Sequence, residues 1–484
     1  MSSSADPGAG DPGPGDPEAG GPGAGDPGAG DPGAGLRAEL VAHLRERAGL
    51  SDPRVAAVLG QVPRHVFVPG VQLTEAYQDR PIVTHHRDGV PTSSSSQPAI
   101  VAAMLQQLRP PPGGSVLEIG AGTGYNAALL AGLVGPSGRV VTVDLDPGVA
   151  DEARSHLSDA GVTNVEVICG DGALGWADGA PYDGIIVTAG ASDLAPAWVG
   201  QLGPGGRLVL PLSIRGVQQS VAFARAGGHL RSVEVCEGSF MPLEGTMANT
   251  DERQPVPVHR GVHVETVADT VVDLAMIGDA LAQRRPVVPI GITAWGREVV
   301  ASLRRWLAFH EPASAQLIYI GPPEAAEASG VPAVAKFVRG VARQSSSCIL
   351  GPAGFAVLDL AAPPAIVTPA PEAGGPGQRR RLELGVRACG DAGPQMARLT
   401  ELVLAWDAAG RPEAERLRID ALPVRRRNPG QPGQPGQPER PRQPGRPGHP
   451  GQRAPGGAHD VRGLVGVAGR HRRAAPYGLR ATAP

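Results

Sequence analysis

Four consecutive serines, Ser93 to Ser96 in "PTSSSSQPAI", stand directly before an apolar helical pattern. Such a run is either a flexible connection or a polar floor on which a substrate can be held. Pro98 suits the first turn of the helix that follows. Further along, "GGSVLEIGAGTGYNAALLAGL" carries a short apolar run, Val116 to Ile119, then Gly120, Gly122 and Gly124. Glycines are needed where a chain leaves a buried strand in a tight turn and a ligand must approach the backbone without meeting a Cβ. Glu118 comes just ahead of the first glycine. A dinucleotide site would cradle pyrophosphate at such a turn, whereas a carboxylate repels phosphate and suits a cation. S-Adenosylmethionine carries an ammonium and a sulfonium and no phosphate, so it is the cofactor these residues point to.

Acids after the next two strands extend the pattern. "GRVVTVDLDPGVADEARSHL" is β-rich up to Asp144, with Asp146 as helix cap and Pro147 in the first turn. Asp144 lies 24 residues after Gly120, where an α/β nucleotide-binding unit places an acid on ribose hydroxyls. "NVEVICGDGALGW" sets Asp171 and Gly172 just past another strand, with Asp171 expected to reach an adenine amino group. "YDGIIVTAGASDLAPAWVGQL" and "GPGGRLVLPL" continue the alternation of strand and helix. The fold predicted is α/β, a doubly wound, mainly parallel sheet with its ligand at the carboxyl ends of the strands. Two helices precede it, one from Leu36 and one capped by Ser51 or Asp52. His65, between Pro63 and Phe67, reads as a packed structural residue, and His85 and His86 as exposed loop residues.

"VPRHVFVP", "AYQDRPI", "SQPAIVAAML", "VLEIGAGTGYNAALLA", "VDLDP", "GDG", "YDGIIVTAGA", "GGRLVLPL" and "FMPLEG" occur in that order between Leu36 and Gly245. This succession resembles the protein L-isoaspartyl O-methyltransferase family. The resemblance implies a Rossmann-like class I S-adenosylmethionine-dependent enzyme that methylates a side-chain carboxyl of a protein or peptide, the ester then closing to a succinimide. It also implies that Ser96 lies beside the methyl donor and the substrate carboxylate, with Ser95, Gln97 and Pro98 around the substrate. Glu118, Gly120, Gly122, Gly124, Asp144, Asp171 and Gly172 would hold the cofactor. A carboxylate is already ionised at neutral pH, so alignment in a dry pocket can suffice, and a hydroxyl with free N–H groups at a helix start can orient the anion.

The chain departs from the family in one place. A short stretch such as HGQT is common before the serine, whereas here "THHRDGVPTSSSSQP" is longer and more polar. With the extra C-terminal sequence, that departure raises an alternative: methylation of a normal aspartate in a ribosomally made modified peptide, bound by the second domain. A nucleic-acid methyltransferase is disfavoured by the lack of an Asn-Pro-Pro-aromatic stretch after "YDGIIV" and by 3% aromatic residues for base stacking. The strand-end acids argue against a module that has lost cofactor binding.

Composition sets the boundaries. Residues 1–35 repeat a DPGAG-like unit with six acids and no base, and residues 425–484 carry twelve arginines against Glu439 and Asp460. Both are expected to be disordered tails. Between them lie a methyltransferase domain (36–245), a linker (246–266) and an accessory α+β domain (267–424), in which Trp306, Phe309 and His310 read as core. With one lysine in the chain, Lys336, arginine content reflects a general bias and gives the tail no particular claim on nucleic acid. The four cysteines have neither zinc nor disulfide spacing, and no metal site is expected. No apolar run reaches the length of a membrane span, so a cytoplasmic enzyme with a protein or peptide substrate is expected. Nothing in the sequence assigns an oligomeric state.

Overall fold

The computed structural model describes residues 31–248, 256–259, 261–266, 272–339, 341–362, 365–367, 379–423 and 477–482. In the first unit α1 (Ala34–Arg47) and α2 (Pro53–Gln61) lead to a short helix, α3 (Leu73–Ala76), and a hairpin of β1 (Ile82–Arg87) and β2 (Val90–Ser95). There follow α4 (Pro98–Leu108), β3 (Ser115–Ile119), α5 (Tyr125–Val134), β4 (Arg139–Asp144), α6 (Pro147–Asp159), β5 (Val165–Cys169), β6 (Tyr182–Val187) and α7 (Pro196–Gln201). Three long strands, β7 (Leu202–Ile214), β8 (Val217–Ala226) and β9 (His229–Glu237), complete it.

Strands β7, β6, β3, β4 and β5 lie side by side in that order and are parallel, while β8 and β9 continue the sheet antiparallel beyond β7. The inner parallel strands β3, β4 and β6 are mainly apolar because both of their faces are covered, whereas β5, at the edge, is only partly buried. Val116, Val140 and Ile186 pack under α2, α4 and α5, whereas Leu117, Ile119, Val141 and Ile185 enter a second core with Trp198 and Phe223. The chain runs outward from β3 through β4 to β5, then returns to β6 on the other side of β3. That reversal opens a crevice at the carboxyl ends of β3 and β6.

The second unit is antiparallel. It comprises β10 (Val256–His259), β11 (Val262–Thr266), α8 (Leu274–Ala282), β12 (Val288–Trp295), a π-helical segment (Glu298–Leu303) running into α9 (Arg304–His310), and β13 (Ser314–Gly321). Then come β14 (Ala335–Arg339), β15 (Val341–Leu350), β16 (Gly354–Leu360), β17 (Ala365–Val367), β18 (Arg379–Gly390) and α10 (Gly393–Ala408). Alternate residues of β16 face opposite covers: Phe355 and Val357 pack with Ile277 and Leu281 of α8, while Ala356 and Leu358 pack with Leu402 and Trp406 of α10.

The chain departs from the expected boundaries in three places. Within the expected linker, β10 and β11 pair with each other and β11 pairs with β13. The alternating Val256, Val258, Val262 and Val264 make these strands, and the intervening Arg and His residues disguised them. The segment expected to end the accessory domain, β19 (Arg418–Pro423), instead joins the edge of the first sheet at β9, and β20 (Tyr477–Thr482), from the expected tail, pairs with β19. Ile419 and Ala421 are fully buried there, so this edge completes the first core. Residues 1–30 and most of the basic tail lie outside the described residues. No helix among the described residues is long and apolar enough to cross a membrane.

Candidate active site

A cavity of about 410 Å³ lies at the crevice between β3 and β6. Its floor is the turn from β3 to α5. Gly120 stands at φ +98°, and a Cβ on it would sit 2.6 Å from the Thr188 hydroxyl oxygen. That hydroxyl donates to the Gly120 carbonyl at 2.7 Å and so ties the ends of β3 and β6 together. Gly122 donates its N–H to Asp144 Oδ2 at 3.0 Å. Gly120, Gly122 and Gly172 line the cavity. Gly124 does not: at φ +84° it starts α5, and a Cβ there would come within 3.2 Å of the Ala153 carbonyl on α6. Its glycine serves helix packing.

Glu118 is fully buried at the wall of the cavity. Its carboxylate accepts from Asn126 Nδ2 and from the Thr142 hydroxyl, each at 2.7 Å. Burial pushes it up to about 7, against the lowering effect of those two bonds. Each carboxylate oxygen retains a second lone pair, so a cation arriving in the cavity would favour the charged form. Asp144 also lines the cavity, is raised chiefly by burial, and accepts from the Gly122 and Asp146 N–H groups.

Asp171 is tied to a distant turn. Its carboxylate accepts from the Thr246 N–H at 2.9 Å and from Ala173 N–H at 3.0 Å. These bonds outweigh the raising effect of burial and hold it below the ordinary carboxylate range. Asp171 is not among the residues lining the cavity, although Gly172 is. It fastens the turn at Thr246, a partner 75 residues away that strand-end position could not reveal.

The serine run is the end of a strand. Strand β2 pairs with β1 across a two-residue turn, Asp88 and Gly89, both at positive φ. Ser95, Ser96 and Gln97 line the cavity; Pro98, buried as the first residue of α4, does not. The Ser96 hydroxyl makes no hydrogen bond to any described residue and is available to a substrate. The expected free N–H groups of the helix start are not available. Pro98 has none, and the Ala99 N–H donates to Asp79 Oδ1 at 2.9 Å, while Gln97 Nε2 donates to Asp79 Oδ2 at 3.2 Å. Asp79, in the "AYQDRPI" stretch, thus caps α4 from a distant segment.

Two further groups escaped the sequence reading. Arg64 lies fully buried beneath the serines. Arg87, near the hairpin tip, pairs with Glu244 at 3.0 Å and Asp146 at 3.6 Å on the opposite rim, and His85 lies 3.3 Å from Glu152. The only signal for the hairpin was its Asp-Gly dipeptide, which favours a two-residue turn. His65 is half-buried against Tyr77, as expected of a packed residue, with its Nδ1 2.7 Å from the phenol oxygen. Trp306 stacks on His310 within the second unit.

The acids at the cavity, Glu118, Asp144, Asp146 and Glu244, face one base, Arg87, which already pairs with two of them. That donor set suits a cationic ligand with hydroxyls and disfavours phosphate. A family model described as protein-L-isoaspartate(D-aspartate) O-methyltransferase matches residues 36–248. The protein-L-isoaspartate O-methyltransferase of Methanoculleus marisnigri is 40% identical over 219 residues, 45% of this chain and 96% of its own. That of Methanoregula boonei is 43% identical over 197 residues, 41% of this chain and 87% of its own. A solved structure of a Plasmodium falciparum protein of the same description, in complex with S-adenosyl-L-homocysteine, is 20% identical over 43% of this chain and 97% of its own, with a TM-score of 0.37.

Proposed function

This chain belongs to the protein-L-isoaspartate(D-aspartate) O-methyltransferase family, and from that premise we propose that it esterifies the side-chain carboxyl of isoaspartyl residues in proteins or peptides, using S-adenosylmethionine. The observation that carries this reading is the meeting in one cavity of the strand-end carboxylates Glu118 and Asp144 with the unpartnered Ser96 hydroxyl. S-Adenosylmethionine supplies a methyl carbon whose bond to sulfur breaks, its electrons staying on sulfur, as a carboxylate oxygen takes the methyl group. The chain's own residues do the positioning. Asp144 and the open backbone at Gly120 and Gly122 suit the nucleoside, and buried Glu118 suits the positive charge. Ser96 donates to the substrate carboxylate, which needs no general base because it is ionised at neutral pH.

The relatives are named for isoaspartate, which favours that substrate over a normal aspartate in a dedicated peptide. Four free cysteines among the described residues fit a reducing compartment and support a cytoplasmic setting. The test is incubation of the protein with methyl-labelled S-adenosylmethionine and an isoaspartyl peptide. Base-labile methyl ester is expected, and a protein that binds the cofactor yet forms no ester would overturn the proposal.

A further inference from the structure

Arg64 is 0% exposed, and no carboxylate among the described residues pairs with its guanidinium. Its partners are five carbonyls and the Ser95 hydroxyl, the latter 3.4 Å from both Nε and Nη2. Nη1 donates to Ala76 at 2.9 Å and Gln78 at 3.1 Å, and Nη2 to Arg80 at 3.3 Å, Ser95 at 3.3 Å and Ser96 at 3.0 Å. A buried cation without a directly paired counterion is costly; Asp79 favours the charge from nearby, and the guanidinium draws two active-site segments to a single point: the stretch that carries Asp79 and the end of the serine run.

Two of those carbonyls are consecutive. Along an extended strand successive carbonyls alternate in direction, but β2 ends at Ser95, and the Ser95 and Ser96 carbonyls both turn to the same nitrogen. Each peptide unit is planar, with its N–H opposite its C=O. The N–H groups of Ser96 and Gln97 therefore leave on the side away from Arg64. Neither donates to a backbone carbonyl of any described residue, and both residues line the cavity. Adjacent N–H groups aimed the same way form an anion-binding concavity, and the free Ser96 hydroxyl adjoins them.

We propose that Arg64 is a positioning residue for methyl transfer: by holding the Ser95 and Ser96 carbonyls it presents the Ser96 and Gln97 N–H groups to the substrate carboxylate. This rests on the reading that the cavity esterifies a carboxylate. Asp79 takes the first N–H of α4, so the substrate depends on the donors just before the helix.

Arg64→Lys keeps the charge but cannot reach five carbonyls at once. The variant is expected to raise the KM for an isoaspartyl peptide about tenfold or more, with a much smaller change in kcat and unchanged S-adenosylmethionine affinity by calorimetry. Ester formed with wild-type KM overturns the assignment. The wild type, assayed first, separates the two claims: no ester at all overturns the functional reading and this assignment with it. Should Arg64→Lys not fold, a second measurement uses the wild type labelled with 15N at glutamine, the Gln97 signal being assigned by its loss in Gln97→Ala. With S-adenosylhomocysteine bound, the isoaspartyl peptide is expected to move the Gln97 amide proton downfield, and an isoasparaginyl analogue to leave it in place. Equal shifts with both peptides overturn the assignment.

Discussion

At the scale of single residues, Glu118 makes the sharpest statement about pH. Its folded value of about 7 lies above the ordinary 4.5 because burial disfavours its charge, so the native state holds this proton more tightly than the unfolded chain does. The stability it contributes is complete below the ordinary value and is lost as pH rises through about 7. Glu118→Gln, which can keep both contacts with the Thr142 hydroxyl turned to accept, is therefore expected to be more stable than the wild type at pH 8 without ligand, by up to about 3 kcal/mol, the gap closing only below the ordinary value of 4.5. Binding runs the other way. S-Adenosylmethionine affinity, measured by calorimetry, is expected to fall as pH drops below 7 in the wild type and to lose that dependence in Glu118→Gln. Glu118, Asp144 and the serines were legible because strand ends and a glycine turn can be read from local pattern. Arg64 and Asp79 were not, since their partners lie up to 32 residues away, and neither was the bond from Thr246 to Asp171, which spans 75 residues.

At the scale of elements, the hairpin and α4 set the geometry of the substrate side. Histidines and serines hide the hairpin's alternation in the sequence, although Asp88-Gly89 marks its turn. Ser93 to Ser95 thus end a strand and Ser96 follows it, so the run is neither a linker nor a loose loop. Helix α4 has no capping side chain of its own at Gln97, and Asp79 performs that duty from the preceding segment. Asp79→Ala is expected to cost about 1 kcal/mol of stability, read from denaturant unfolding. It should also raise the KM for peptide, since Gln97 loses its tether, while leaving S-adenosylmethionine affinity unchanged. By contrast the inner strands β3, β4 and β6 were legible, because strands buried on both faces are mainly apolar.

At the scale of the whole molecule, sequence order and spatial order diverge. A first unit ending at Gly245 looks complete in the sequence, but its sheet is finished by β19 and β20 from beyond the second unit. A single short strand carries too little pattern to say which sheet it joins; Arg231, paired with Asp420 at 2.7 Å, and the buried Ile419 decide it here. A chain cut after Gly245 uncovers the places of Leu417 and Ile419, each worth roughly 2 kcal/mol. It is expected to melt lower than the full chain while still binding S-adenosylmethionine, because the cavity is lined only by residues from Pro81 to Glu244. The decisive property of the enzyme is which carboxyl it methylates. In one reaction, the full chain would be given labelled S-adenosylmethionine and two peptides differing only in an aspartyl or isoaspartyl residue, and the products separated by mass spectrometry. Ester and then succinimide on the isoaspartyl peptide, with the aspartyl peptide unchanged, is the expected result; equal or faster labelling of the aspartyl peptide would contradict the account.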